Sequence, residues 1–102
     1  LELSEAGTRK WIVYNNYTND NLTFKTNNNI RMVIEQDGNV GIGTDNPTTA
    51  LDIGGNSIRI RNAKTPSSAS DTGDAGQVCW DNNYLYICIA SNTWKRVSLN
   101  TW

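Results

Sequence analysis

The sequence predicts an all-β fold, and three observations carry that expectation. No stretch of about eleven residues repeats apolar positions at the three, four and seven spacing of a helix face. Short alternating runs recur along the whole chain, each bounded by Asn, Asp or Gly. The composition is also rich in small polar residues: 15 Asn, 7 Ser and 11 Thr stand among 102 residues, with 37% apolar and 19% charged. Both fractions lie below the soluble averages of about 45–50% and about 25%. A chain this short and this poor in Leu, Ile, Val and Phe does not fill a deep core by itself. It needs disulfides, metal or other subunits to gain enough from burial. The length allows one domain at most, or a piece of something longer, and the first residue, Leu1, points to a fragment or a processed product.

The first strand expected covers residues 9–15 (RKWIVYN), with Trp11 and Val13 on one face and Lys10, Ile12 and Tyr14 on the other. Residues 21–26 follow, with Leu22 and Phe24 aligned. Asn27, Asn28 and Asn29 read as a turn, because Asn tolerates left-handed dihedrals and bonds nearby backbone. Residues 30–35 align Ile30, Met32 and Ile34 before Asp37-Gly38 turns the chain again. At 41–47 (GIGTDNP) the alternation breaks. Two glycines around Ile42 permit close backbone approach or positive φ, and Asn46-Pro47 imposes an extended or turning link. A strand pair is expected next, 50–53 against 57–61 across Gly54-Gly55. Residues 65–76 (TPSSASDTGDAG) are a loop by composition and the best candidate domain boundary.

The strongest pattern comes last. Residues 77–81 and 84–90 flank Asn82-Asn83, so a two-residue hairpin turn pairs Val78 with Ile87 and Trp80 with Leu85. That register puts Val78, Trp80, Leu85, Ile87 and Ile89 on one face, expected to form core or intersubunit packing. Gln77, Cys79, Tyr84, Tyr86 and Cys88 take the other. A second turn at Ser91-Asn92 leads into 93–99 and completes a three-stranded meander. Cys79 and Cys88 are diagonal rather than opposed. A disulfide wants Cα atoms within about 7 Å, and a pair of buried thiols is the alternative.

Composition also narrows function. There is no His, one Met and two Cys, which leaves no His-based acid–base chemistry and no expected metal or cofactor site. Net charge is −1 with basic residues scattered singly, unlike the basic stripe of a nucleic-acid surface. The longest mainly apolar run, 84–90, is far too short to span a bilayer, and no secretory leader opens the sequence. Asp71 and Asp74, and Asp37-Gly38-Asn39, fit turn chemistry better than a calcium loop. No carboxylate pair marks a glycosidase, so the protein is expected not to be an enzyme.

The segment 37–47 (DGNVGIGTDNP) with 50–53, and the stretch 59–99 with its NTWKRV motif at 92–97, resemble recurrent elements of tailed-bacteriophage tail fibre and tail spike proteins. Similar modules occur in some bacterial adhesive fibres. The resemblance implies a closely packed or intertwined parallel homotrimer: short β-hairpins in a shaft (1–47), connecting strands (48–64), a loop (65–76) and a C-terminal meander tip (77–102). Strands with apolar groups on both faces suit that arrangement, since neighbouring copies supply the second cover. The resemblance further implies a virion tail-fibre location and attachment to a host-surface receptor, commonly a glycan. A glycan platform needs exposed rings with hydrogen-bonding neighbours, and the candidates are Trp94, Arg96, Trp102, Trp11, Tyr14 and Tyr17. The competing reading is that these rings cover the trimer interface, and Trp102 also reads as a frayed chain end. Three functions follow: adhesion, a trimer-registering clamp that binds no receptor, and, ranked last, a fragment of a glycan-depolymerising spike.

Overall fold

The computed structural model describes all residues, 1–102, as nine β-strands with no helix. The all-β expectation holds. The chain forms two compact units, Leu1–Ser57 and Ile58–Trp102.

The first unit is a single six-stranded sheet whose strands lie side by side in chain order. They are β1 (Glu2–Glu5), β2 (Thr8–Asn16), β3 (Asn21–Thr26), β4 (Asn29–Ile34), β5 (Val40–Ile42) and β6 (Leu51–Ile53). β1 to β5 run antiparallel, joined by turns of the polar residues that favour them. Asn27 and Asn28 both take positive φ between β3 and β4, as the twisted two-residue hairpin requires. Ala6 and Gly7 do the same between β1 and β2, a hairpin that the sequence pattern did not reveal because Glu2, Leu3, Ser4 and Glu5 lack apolar alternation.

The expected strand pair across Gly54-Gly55 is not formed. β6 instead pairs in parallel with β5, and residues 57–61 form no strand. The reason is a close backbone crossing: a Cβ at Gly54 would lie 2.2 Å from the Gly43 carbonyl oxygen. Gly54 N–H donates to Ile42 O at 2.8 Å, Val40 N–H donates to Ala50 O at 2.9 Å, and Gly43 takes φ +78°. The glycines therefore bring two strands together rather than reverse one.

A row of residues crosses this sheet through Tyr14, Thr23, Val33, Gly41 and Asp52. Thr23, Val33 and Gly41 are buried, with Thr44 of the following loop folded against Gly41. The opposite face carries Val13, Phe24, Met32, Ile42 and Ile53 in one row and Leu22, Ile34, Val40 and Leu51 in the next. None of these nine side chains is buried, and Leu22, Ile42 and Leu51 are exposed. One face of the sheet is thus apolar and without a second layer from its own unit.

The second unit holds the expected meander, β7 (Val78–Trp80), β8 (Tyr84–Ala90) and β9 (Thr93–Ser98). Its register is the expected one, with Val78 opposite Ile87 and Trp80 opposite Leu85. The buried face is the other one. The core consists of Cys79, Tyr86, Cys88 and Trp94, with Tyr84 packed against it. The expected packing of Val78, Leu85, Ile87 and Ile89 into a core does not occur within the chain: all four are exposed, from 44% at Leu85 to 46% at Val78 and Ile89. Alternation set two faces but not which one the 65–76 loop would cover.

Candidate functional site

The loop that covers the meander is fixed by backbone and carboxylate hydrogen bonds. Trp94 N–H donates to Ala69 O at 2.9 Å, Asn92 N–H to Gly73 O at 2.9 Å, and Gly76 N–H to Cys88 O at 2.7 Å. Asp71 holds the loop's own turn by accepting from Ser67 N–H at 2.9 Å and Thr72 N–H at 2.8 Å. Those amide bonds hold its carboxyl below the usual range. Turn chemistry accounts for this carboxylate, as expected.

Trp94 sits under this loop. Its ring is 6% exposed, its indole N–H donates to Asp71 O at 3.1 Å, and a Cβ at Gly73 would meet its Cζ2 at 2.7 Å. Only glycine lets the loop lie this close to the ring. Trp94 is thus packed beneath a loop of its own chain, an arrangement neither the sugar-platform nor the trimer-interface expectation described.

Asp81 caps the first hairpin turn. Its Oδ1 accepts from the amides of Asn83 and Tyr84 at 2.8 and 2.9 Å, and its Oδ2 accepts from the Thr65 hydroxyl at 2.6 Å and from Tyr86 OH. Thr65 and Tyr86 together with the turn amides hold its carboxyl well below the usual carboxylate range, while the same bond pushes the Tyr86 phenol up. The sequence offered a weak signal for this network, an Asp ahead of Asn82-Asn83. It offered none for Tyr86 or Thr65, whose roles depend on where the loop lands.

Beside this network the Arg96 guanidinium lies 3.8 Å from the centre of the Tyr84 ring. A cleft of about 280 Å³ opens between Pro66, Ser67, Ser68 and Ala69 on one side and Tyr86, Trp94, Lys95 and Arg96 on the other. Trp94 and Arg96, two of the candidates, are therefore brought together, one as wall and one as an exposed cation. Trp80 is half-buried at the rim of the other face, where its indole N–H donates to Ile60 O at 2.7 Å. Trp102 is fully exposed at the end of the chain.

The remaining candidates lie in the first unit and do not form one platform. Trp11, 43% exposed, and Tyr14 stand on opposite faces of β2. Tyr14 is half-buried with the Lys25 ammonium 5.2 Å from its ring centre, and Tyr17 is exposed in the turn that follows β2. Cys79 and Cys88 are free and buried, so the thiol reading holds. Burial pushes the Cys79 thiol up, and the Cys88 Sγ donates to Ala90 O at 3.1 Å.

The chain is helix-free and built of hairpins in one-sided sheets, and the resemblance to phage tail proteins stands. The chain is 54% identical over 56 residues to a K30/K69-specific capsule depolymerase of Klebsiella phage K64-1, covering 55% of this chain and 7% of that protein. It is 45% identical over 42 residues to depolymerase 1, K30/K69 capsule-specific, of Klebsiella phage K5-2, covering 41% of this chain and 5% of that protein. No family model and no solved structure matches. The relatives imply a component of the virion tail. They also overturn the expectation of a non-enzymatic protein, since both are named as depolymerases. A carboxylate pair missing from these 102 residues does not speak for the relatives, of which the matched stretches are about one part in fifteen to twenty.

Proposed function

We propose that this chain is a trimer-forming module of a capsule-directed phage tail spike, joining three copies and helping to engage the host capsule glycan. The observation that supports it is the pair of uncovered apolar sheet faces. In the meander, Val78, Leu85, Ile87, Ile89 and Val97 all stand exposed, and the first unit leaves a nine-residue apolar face without a second layer. Contiguous apolar faces of this kind mark protein–protein contact. Second and third copies of the same surface cover them symmetrically. The polar remainder of the chain suits a slender assembly whose core is shared.

Glycan engagement rests on the relatives' names and on the aromatic and cationic groups of the second unit. Three sites on one assembly bind a repeating polymer far more tightly than one. Light scattering at micromolar concentration is expected to give three times the 11.3 kDa protomer mass, and a monomer mass would refute the trimer. Pull-down of host capsular polysaccharide by the same material tests attachment, and a reducing-end assay on the polysaccharide with a spike carrying this module tests depolymerisation.

A further inference from the structure

Resting on that glycan-binding reading, we propose that the cleft between residues 66–69 and β9 binds a carboxylate-bearing sugar of an acidic polysaccharide, with the Arg96 guanidinium as its anion anchor. Charge is the first support. Residues 1–57 carry four cationic side chains against seven carboxylates, whereas residues 58–102 carry five against three. A chain of net charge −1 therefore concentrates net +2 in the second unit. Two of that unit's three carboxylates, Asp71 and Asp81, are engaged by hydrogen bonds from the chain itself. The only ion pairs are Arg9–Glu2 and Lys10–Glu5, both in the first unit, so Arg96 and Lys95 have no carboxylate partner.

Geometry is the second support. The Arg96 guanidinium lies over the Tyr84 ring, 3.8 Å from its centre, and a planar guanidinium fork is well matched to a carboxylate. Trp94 N–H bonds Ala69 O on the outer edge of β9. By the alternation of an antiparallel ladder, the Arg96 N–H two residues on leaves the sheet by the same edge, where it finds no backbone acceptor. Guanidinium and backbone amide thus come from one residue lining the cleft. Ser67 and Ser68 add hydroxyl groups, and Pro66 with Trp94 adds apolar wall, a mixture suited to a sugar ring. Pro66, Ser67, Ser68, Ala69 and Trp94 line this cleft alone, whereas Tyr86, Lys95 and Arg96 also border the groove beside Val78, Leu85, Ile87 and Val97, so the cleft adjoins the aliphatic face.

The test uses the full chain, isotope-labelled, and oligosaccharides containing galacturonate, glucuronate or sialate, each with its carboxyl-reduced counterpart. The Arg96 amide and Trp94 indole signals are followed by NMR. At least one acidic oligosaccharide is expected to shift both signals and to bind about tenfold or more tightly than its reduced form, as a charge-assisted contact warrants. Arg96→Ala is expected to remove that preference and Arg96→Lys to keep part of it, each with the dispersed spectrum of a folded chain. Equal binding of acidic and reduced forms, or an undiminished preference in Arg96→Ala, overturns the site while leaving glycan attachment intact. Binding of none of these sugars overturns the site. If host capsular polysaccharide is also not bound, the attachment reading falls with it.

Discussion

Two single residues decide how the second unit holds together, and each makes its own prediction. Gly73 is required by contact rather than by dihedral angle, since a methyl there would press to 2.7 Å from the Trp94 ring. Gly73→Ala is expected to destabilise the unit by about 1–3 kcal/mol, the range for forcing an extra group into a packed site. Urea unfolding followed by tryptophan fluorescence measures it, and unchanged stability would show that the loop shifts freely. Asp81 supplies the pH dependence. Its folded-state pKa is depressed, so just below the ordinary value of 3.8 the unfolded chain takes up a proton that the folded chain refuses. The stability it contributes is complete above that value and is lost as pH falls toward the folded pKa. Asp81→Asn should accordingly be less stable than the parent at neutral pH, with a deficit that shrinks below pH 3.8. A deficit independent of pH would show that the charge of Asp81 plays no part.

At the scale of the element, the meander shows how a correct register leaves the inside undecided. Its two faces were both legible as apolar, one aliphatic and one built of Tyr, Cys and Trp. The loop at 65–76 covers the aromatic one because Gly73 and the Asp71 carbonyl fit Trp94. The aliphatic face stays exposed, and the proposed trimer assigns it to other copies. Ile87, at the centre of β8 and opposite both Val78 and Lys95, is the residue to test. Ile87→Asp is expected to convert the assembly to monomer in light scattering while the far-ultraviolet spectrum stays that of a β-protein. A variant that keeps the parent's mass would remove this face from the interface. In the first unit the parallel β5–β6 pair teaches a related lesson. Gly54-Gly55 looks like a hairpin turn in sequence, yet Gly54 serves to let β6 approach the Gly43 backbone, a long-range need that no local pattern displays.

The whole molecule is two one-sided sheets, each in its own unit. Few side chains are fully withdrawn from water: Val33, Thr23 and Cys88 are the largest of them. If copies of the chain cover these faces as proposed, stability is gained where they meet, and mass action links folding to concentration. The melting temperature is expected to rise with protomer concentration, and Ile87→Asp to abolish that rise. A melting temperature that stays constant across a hundredfold dilution would place the stabilising contacts within one chain. The same view bears on the expectation of a non-enzymatic protein. The residues present hold no paired carboxylates, whereas the matched relatives are many times longer than the stretches they share with this chain.

The sequence by itself determined the all-β class, the turns at Asn27-Asn28, Asp37-Gly38 and Asn82-Asn83, the meander register and the likeness to phage tail proteins. Each follows from local chemistry: alternation at period two, residues that accept positive φ, and motifs short enough to be read in one stretch. Tertiary structure alone decided which meander face is covered, that Trp94 is packed while Arg96 is open beside it, that Asp81 gathers Thr65 and Tyr86, and that β6 runs parallel to β5. Those outcomes depend on where a loop or a glycine meets backbone distant along the chain. Alternation fixes the two sides of a strand, and only the partner that arrives makes one of them the inside.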